Sequence, residues 1–134
     1  MTKTKISVLC ALAASVAVAG YYADLLRAAV TFNPIAYGPE SLARGRVIYA
    51  ERCLVCHGER GEGDGSAAAG LGKRPKNLAA MAPPPIFPDG VVAYRIANGG
   101  EVMPAWKGIL SDNQIWDVLN YVRSLSPRYR SRMP

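Results

Sequence analysis

Cys53-Leu54-Val55-Cys56-His57 places two thiols three positions apart and sets the chain's single imidazole directly after the second. Cysteines at i and i+3 share one side of a helical turn. They can reach the two vinyl groups of one haem and become thioethers, while the adjacent imidazole rises beneath the iron as proximal ligand; Cys-x-x-Cys-His is the attachment pattern of haem c. The competing chemistries fail on inventory. A structural zinc needs about four nitrogen or sulfur ligands, and the chain offers three cysteines and one histidine, with Cys10 inside an apolar run near the start. A thioredoxin-like pair calls for a βαβ setting, and no strand alternation surrounds the pentad. The second ring nitrogen of His57 is expected to donate to a carbonyl, which fixes tautomer and orientation. The glycine-rich stretch from Gly58 to Gly65 lacks the Gly-Lys-Ser/Thr of a phosphate loop and has Ser66 where a dinucleotide fingerprint ends on glycine. It reads as a tight loop beside the haem, with Glu62 and Asp64 as solvated charges.

With the pentad in place, the chain from about Glu40 to Pro127 resembles a class I cytochrome c. Three landmarks carry the likeness: Cys53 to Glu59 running into Gly61-Glu62-Gly63-Asp64-Gly65; Met103-Pro104-Ala105-Trp106; and an amphipathic C-terminal helix from Ser111 to Leu125. The resemblance implies an all-α fold around one covalently bound haem c, with Cys53 and Cys56 as attachment points and His57 and Met103 as the iron ligands. It further implies Pro75 as the carbonyl acceptor for His57. Arg74, Lys76 and Trp106 are candidates for contacts to the haem propionates, with surface charge and core packing as their other readings. Met81 and Met133 are the remaining methionines in reach of such a role. Met103 is preferred because it follows a short helix and a Gly99-Gly100 turn and is stiffened by Pro104. A thioether ligand favours ferrous iron and suits one-electron transfer. The implied function is that of a carrier, or of a cytochrome subunit in a respiratory or photosynthetic membrane oxidoreductase, with other redox proteins as donor and acceptor and without a small-molecule substrate. The alternatives are a soluble periplasmic shuttle, and a haem enzyme or gas sensor with an open iron position.

The elements that must position these residues can be read from pattern. A helix from about Glu40 to Cys53 carries the pentad at its end, and the resemblance implies that Gly45 and Tyr49 cross the C-terminal helix. Pro88-Asp89 opens a short helix with Asp89 as N-cap and Gly99 near its end. Ser111-Asp112-Asn113-Gln114 reads as a capping box, Ile115, Trp116, Val118, Leu119 and Val122 follow at helical spacing, and Pro127 stops the helix. Trp116 and Tyr121 read as helix packing. A domain of this size with ten prolines and thirteen glycines in the chain encloses little apolar side chain, so a haem is expected to complete its core.

Outside this domain, Ile6 to Ala23 is free of charge, preceded by Lys3 and Lys5 and followed by Asp24 and Arg27. Eighteen helical residues rise roughly 27 Å, enough to cross a hydrocarbon core of about 30 Å. Tyr21, Tyr22 and Phe32 stand where an interfacial aromatic belt would lie, and the lysines put the N-terminus in the cytoplasm. The same run, with Ala17 and Ala19 before Gly20, also has the form of a cleavable signal peptide. Residues 1–30 are therefore expected to anchor the chain in the bacterial cytoplasmic membrane, with the haem domain on the periplasmic side, or to direct its export. Cys10 reads as a small apolar residue of that helix. Residues 31–39, with Asn33-Pro34 and Gly38-Pro39, form a linker that cannot be helical throughout, residues 40–127 the haem domain, and 128–134 a basic tail.

The net charge of +6 is concentrated at the ends. The first thirty residues carry +2 and the last seven +3, which leaves +1 for residues 31–127. No basic face interleaved with aromatics marks a nucleic-acid site. The tail arginines, Arg128, Arg130 and Arg132, are either a docking element for an acidic surface or a solvated end.

Overall fold

With no charge between Ile6 and Ala23 and no proline before Pro34, nothing in the N-terminal segment opposes helix formation, and α1 runs over Lys3–Val30 in the computed structural model, which describes residues 3–130. Its 28 residues span about 42 Å. Among the described residues it is the one helix long and apolar enough to cross a membrane. Cys10 lies exposed upon it.

Five further α-helical segments follow: α2 (Pro39–Arg52), α3 (Leu54–His57), α4 (Asp89–Asn98), α5 (Asp112–Leu125) and α6 (Pro127–Arg130), with one 3-10 turn at Ala68–Gly70. Among the described residues the only β-pairing consists of two isolated bridges, Gly100 with Met103 and Lys107 with Leu110. The all-α expectation stands.

The framework is the crossing of α2 and α5. A Cβ on Gly45 would overlap the Asp117 carbonyl and touch Tyr121, so only glycine lets the two backbones approach this closely. Around that point Ile48 and Tyr49 of α2 meet Val118, Leu119 and Val122 of α5, and α4 adds Val92, Ala93 and Ile96 to the same core. The Tyr49 and Tyr121 rings lie 5.2 Å apart in a tilted pair. The Ser111 capping box forms as read, with Gln114 N donating to Ser111 Oγ and Ser111 N to the Gln114 side chain.

Asp89 is a correction. The N-cap of α4 is Pro88, Asp89 is the first helical residue, and no side chain caps the helix. The Asp89 carboxylate instead accepts from Arg123 Nε at 2.8 Å. Arg123 is 1% exposed, its other guanidinium nitrogens donate to the carbonyls of Ala82 and Phe87, and its head lies over the Tyr129 ring. A buried cation is retained only where its donors are met, and here the ion pair and two carbonyls meet them.

The linker is likewise more than a tether. Asn33 Nδ2 donates to Asn120 Oδ1 at 2.8 Å, and Asn120 Nδ2 donates to Ser41 Oγ at 2.9 Å and to the Ile35 carbonyl at 3.3 Å. The tail begins as the turn of α6, where Tyr129 packs on Tyr37 at 5.7 Å between ring centres. Arg132 and Met133 lie outside the described residues. At its far end α1 buries Ala28, and the Ala28 and Thr31 carbonyls rest on Gly90 at the start of α4, where a side chain would collide with both.

Candidate haem-binding site

The pentad sits at a break between helices. Cys53 ends α2, its N–H bonded to the Tyr49 carbonyl, and serves as the N-cap of α3, whose single turn carries Cys56 and His57. One turn leaves its carbonyls without helical partners, and the following loop supplies them. Gly63 N donates to the His57 carbonyl at 2.8 Å, Gly65 N to that of Cys56 at 3.2 Å and Ala67 N to that of Val55 at 2.9 Å. The loop can fold back because Gly58, Gly61 and Gly63 hold φ of 77°, 73° and 76°, a left-handed conformation in which glycine has no Cβ to clash. The Tyr49 hydroxyl closes the arrangement by donating to the Gly58 carbonyl at 2.7 Å. The glycine-rich segment is thus the scaffold of the pentad. Within it Glu62 pairs with Arg60 at 3.0 Å on the surface, and Asp64 is exposed, so both are solvated charges.

The His57 ring meets a backbone carbonyl through Nδ1, as expected of a metal-binding imidazole, but the partner differs. Nδ1 lies 3.2 Å from the Lys76 oxygen, one residue beyond Pro75. The Pro75 carbonyl faces Gly63 instead, occupying the space a Cβ there would need. The tertiary path of the loop, with Leu78 N bonded to the Gly61 carbonyl at 2.6 Å, sets the register that a proline count could not. With Nδ1–H donating to Lys76, the Nε2 lone pair is left to ligate. Burial lowers the His57 pKa, partly countered by the Lys76 hydrogen bond, which favours the neutral, ligating imidazole.

No disulfide joins Cys53 to Cys56. Burial, reinforced by Cys56, pushes the Cys53 thiol up to about 11. A dithiol exchange site needs the opposite shift, since the thiolate is the reactive form. Among the described residues no group of three His, Cys, Asp or Glu side chains could hold a metal ion, so a zinc site has no ligand set there. Two thiols on one turn, with an imidazole fixed by its outer nitrogen, are a donor set that fits haem c.

Met103 lies half-buried against the central core, as do Cys53 and Trp106. Its turn is closed by paired hydrogen bonds with Gly100, Gly100 N to the Met103 carbonyl at 2.9 Å and Met103 N to the Gly100 carbonyl at 2.6 Å. Gly99, at φ 67°, packs on the Met103 and Ala105 backbone with no room for a side chain. Trp106 N is bonded to the Ile96 and Ala97 carbonyls at 3.2 and 3.1 Å, and Arg52 stands 6.0 Å over its ring. This ties the loop after Met103 to the end of α4 and to the helix leading into the pentad. Met81, by contrast, is 6% exposed within the core, and its carbonyl accepts from Ser126 Oγ. Arg74 Nε donates to the Gly63 carbonyl, and Lys76 Nζ lies 4.9 Å from the Phe87 ring centre. Both are engaged with the protein itself.

Residues 40–122 match the family model described as cytochrome c oxidase, cbb3-type, subunit III. The chain is 28% identical over 93 residues to cytochrome c6 of Thermosynechococcus vestitus, an alignment covering 69% of this chain and 77% of that protein. It is 36% identical over 101 residues to thiosulfate dehydrogenase of Stutzerimonas stutzeri, covering 68% of this chain but 29% of that one. The fold matches a chain of the reducing HAO-like protein complex of Kuenenia stuttgartiensis with a TM-score of 0.62 and 27% identity, over 69% of this chain and 47% of that one. The chain thus spans most of cytochrome c6, about half of the structural neighbour and under a third of the dehydrogenase.

Proposed function

The chain belongs to the class I cytochrome c family, whose members transfer electrons through haem c, and on that premise we propose a membrane-anchored, one-haem electron-transfer protein. The observation that carries the reading is the pentad turn. Cys53 and Cys56 present their thiols from one turn, and His57 is oriented by Lys76 through Nδ1, an arrangement that suits two thioether links and a proximal iron ligand. Met103 is the distal ligand in this reading, supported by its place in a turn stiffened by Pro104 and locked to α4 through Trp106. When bound, the haem supplies an iron that cycles between ferric and ferrous states. The protein's part is to keep both ligands in place in either state and to exclude water; the Gly58–Gly65 loop, the Met103 turn and the α2–α5 crossing are the elements that do so.

The anchor is residues 1–30, with the N-terminus inside, residues 40–127 on the periplasmic side of the cytoplasmic membrane, and the linker and tail between and after them. The apolar length of α1 and the flanking Lys3 and Lys5 support it; a cleaved signal is the competing origin of the same run. Partners are other redox proteins at the same surface. The likeness to a thiosulfate dehydrogenase supports a role as the cytochrome portion of a larger oxidoreductase beside that of a free carrier. Acid–acetone extraction is the direct test of the haem assignment. The haem should remain on the polypeptide, and release of most of it would overturn covalent attachment through Cys53 and Cys56. Carbonate washing of membranes with intact-mass analysis tests the anchor: a full-length haem-bearing chain in the pellet is expected, and a soluble product beginning near Gly20 would refute it.

A further inference from the structure

The end of α1 does not simply lead into the haem domain; it lies along it. Ala28 and Thr31 rest on Gly90 at the beginning of α4, and with Asp24, one turn before Ala28, and Arg27, its immediate neighbour, they line a groove that also takes in Asn98 at the end of α4. Asp24 to Val30 spans about 9 Å of helix and Gly90 to Asn98 about 12 Å, and residues from both ends of α4 line one groove with the end of α1. Lys107, Asp112 and Trp116 line the same groove as Asp24 and Arg27. These two are the first charges after the apolar run, and in a spanning helix the first charges stand in the outer headgroup layer.

The groove is an open one on the surface, with a volume of about 460 Å³. Its lining carries two cations, Arg27 and Lys107, two carboxylates, Asp24 and Asp112, and two amphipathic rings, Tyr94 and Trp116. The Arg27–Asp24 pair is 3.3 Å long with side chains 81% and 54% exposed, a weak surface contact that leaves both groups open to a further partner. A guanidinium fork and an ammonium suit the oxygens of a phosphodiester. Carboxylates in the same groove oppose a purely anionic headgroup but suit one that carries its own ammonium, and Tyr and Trp rings favour the headgroup level of a bilayer.

We propose that this groove between α1, α4 and the start of α5 binds the headgroup of an ethanolamine phospholipid, its phosphate on Arg27 and Lys107 and its ammonium toward Asp24 and Asp112. The proposal rests on the anchor reading. A lipid seated there fills the junction between membrane helix and haem domain, and so holds the domain at a fixed attitude to the bilayer.

The test uses the full-length haem-loaded chain in nanodiscs of equal parts phosphatidylethanolamine, phosphatidylglycerol and phosphatidylcholine, followed by native mass spectrometry. One phosphatidylethanolamine per chain should be retained in preference to the other two lipids. Arg27→Glu and Lys107→Glu should each lower that retention about tenfold or more, with an unchanged haem spectrum as the check on folding. Lys73→Gln, a cation elsewhere on the surface, should not lower it, and millimolar inorganic phosphate should not displace the lipid. Unselective retention, preference for phosphatidylglycerol, displacement by phosphate, or retention indifferent to both charge reversals would overturn the proposal while leaving the anchor intact. A chain that fails to enter the discs and begins near Gly20 would overturn the anchor reading and the proposal with it.

Discussion

Replacing Arg123 by methionine should be among the most damaging single changes outside the haem ligands. The side chain is 1% exposed and makes three hydrogen bonds, to the carboxylate of Asp89 and to the carbonyls of Ala82 and Phe87. Methionine keeps much of the volume but none of the donors. It leaves Asp89, whose side chain is 17% exposed, as a nearly buried carboxylate without its cation, and two acceptors without partners. Breaking a buried pair from one side costs about 3–5 kcal/mol. The residual exposure of Asp89 and its place in the first turn of α4, where the helix dipole favours an anion, argue for the lower end. A loss of about 3 kcal/mol raises the unfolding constant roughly 150-fold and lowers the midpoint by at least roughly 12 °C for a domain of this size. Unfolding of the haem-bound chain, followed by far-ultraviolet dichroism and Soret absorbance together, measures it. Adding Asp89→Asn removes the stranded charge, and the double variant should recover at least about 1 kcal/mol of the loss. A single variant within about 1 kcal/mol of the parent, or a double variant whose cost is the sum of its parts, would refute the idea that Arg123 and Asp89 form one coupled clamp on the 82–89 segment.

The remaining expectations concern ligation, the helix crossing and acid stability. Met103→Ala should abolish the sulfur-to-iron charge-transfer band of the oxidised protein and open the iron to added ligands, whereas Met81→Ala should cost about 2–5 kcal/mol of stability and leave the band in place; the reverse pattern would mean that Met81 is the distal ligand. Gly45→Ala, which in an exposed helix would stabilise by up to about 1 kcal/mol, should instead lower the melting temperature, because its methyl meets the Asp117 backbone; a raised melting temperature would show that the crossing is looser than described. Burial alone would raise the Asp117 carboxyl, but the hydrogen bonds from Arg44 and Ser41 more than offset it and hold the group below the usual carboxylate range. Its folded value being depressed, Asp117 contributes stability that is present above the unfolded value of about 3.9 and is lost as pH falls through the folded value. The acid limb of wild-type unfolding should therefore be steeper below about pH 4 than that of Asp117→Asn, and coincident acid profiles would exclude this contribution.

Much of the candidate site was legible in the sequence because its chemistry is local. Two thiols and an imidazole within five residues share one turn wherever the chain goes, glycines at fixed offsets announce a loop folding back on that turn, and Ser111 with Gln114 caps a helix through bonds spanning three residues. The charge-free run likewise determines a long helix by composition alone. The structure decided what depends on distant partners. Lys76 rather than Pro75 meets His57 because the loop's register is set by Gly61 and Leu78, and Asp89 turns from a cap into the counter-ion of an arginine 34 residues away. Asp117, Asn120 and Arg123 are polar residues spaced by three along α5, a helix whose pattern in the sequence is legible only from its apolar positions. All three are buried, fastening in turn α2, the linker and the 82–89 segment. Spacing alone shows that such residues share a face, but burial of a polar group is affordable only when its partners arrive from elsewhere in the chain, and that arrival is settled by the packed fold.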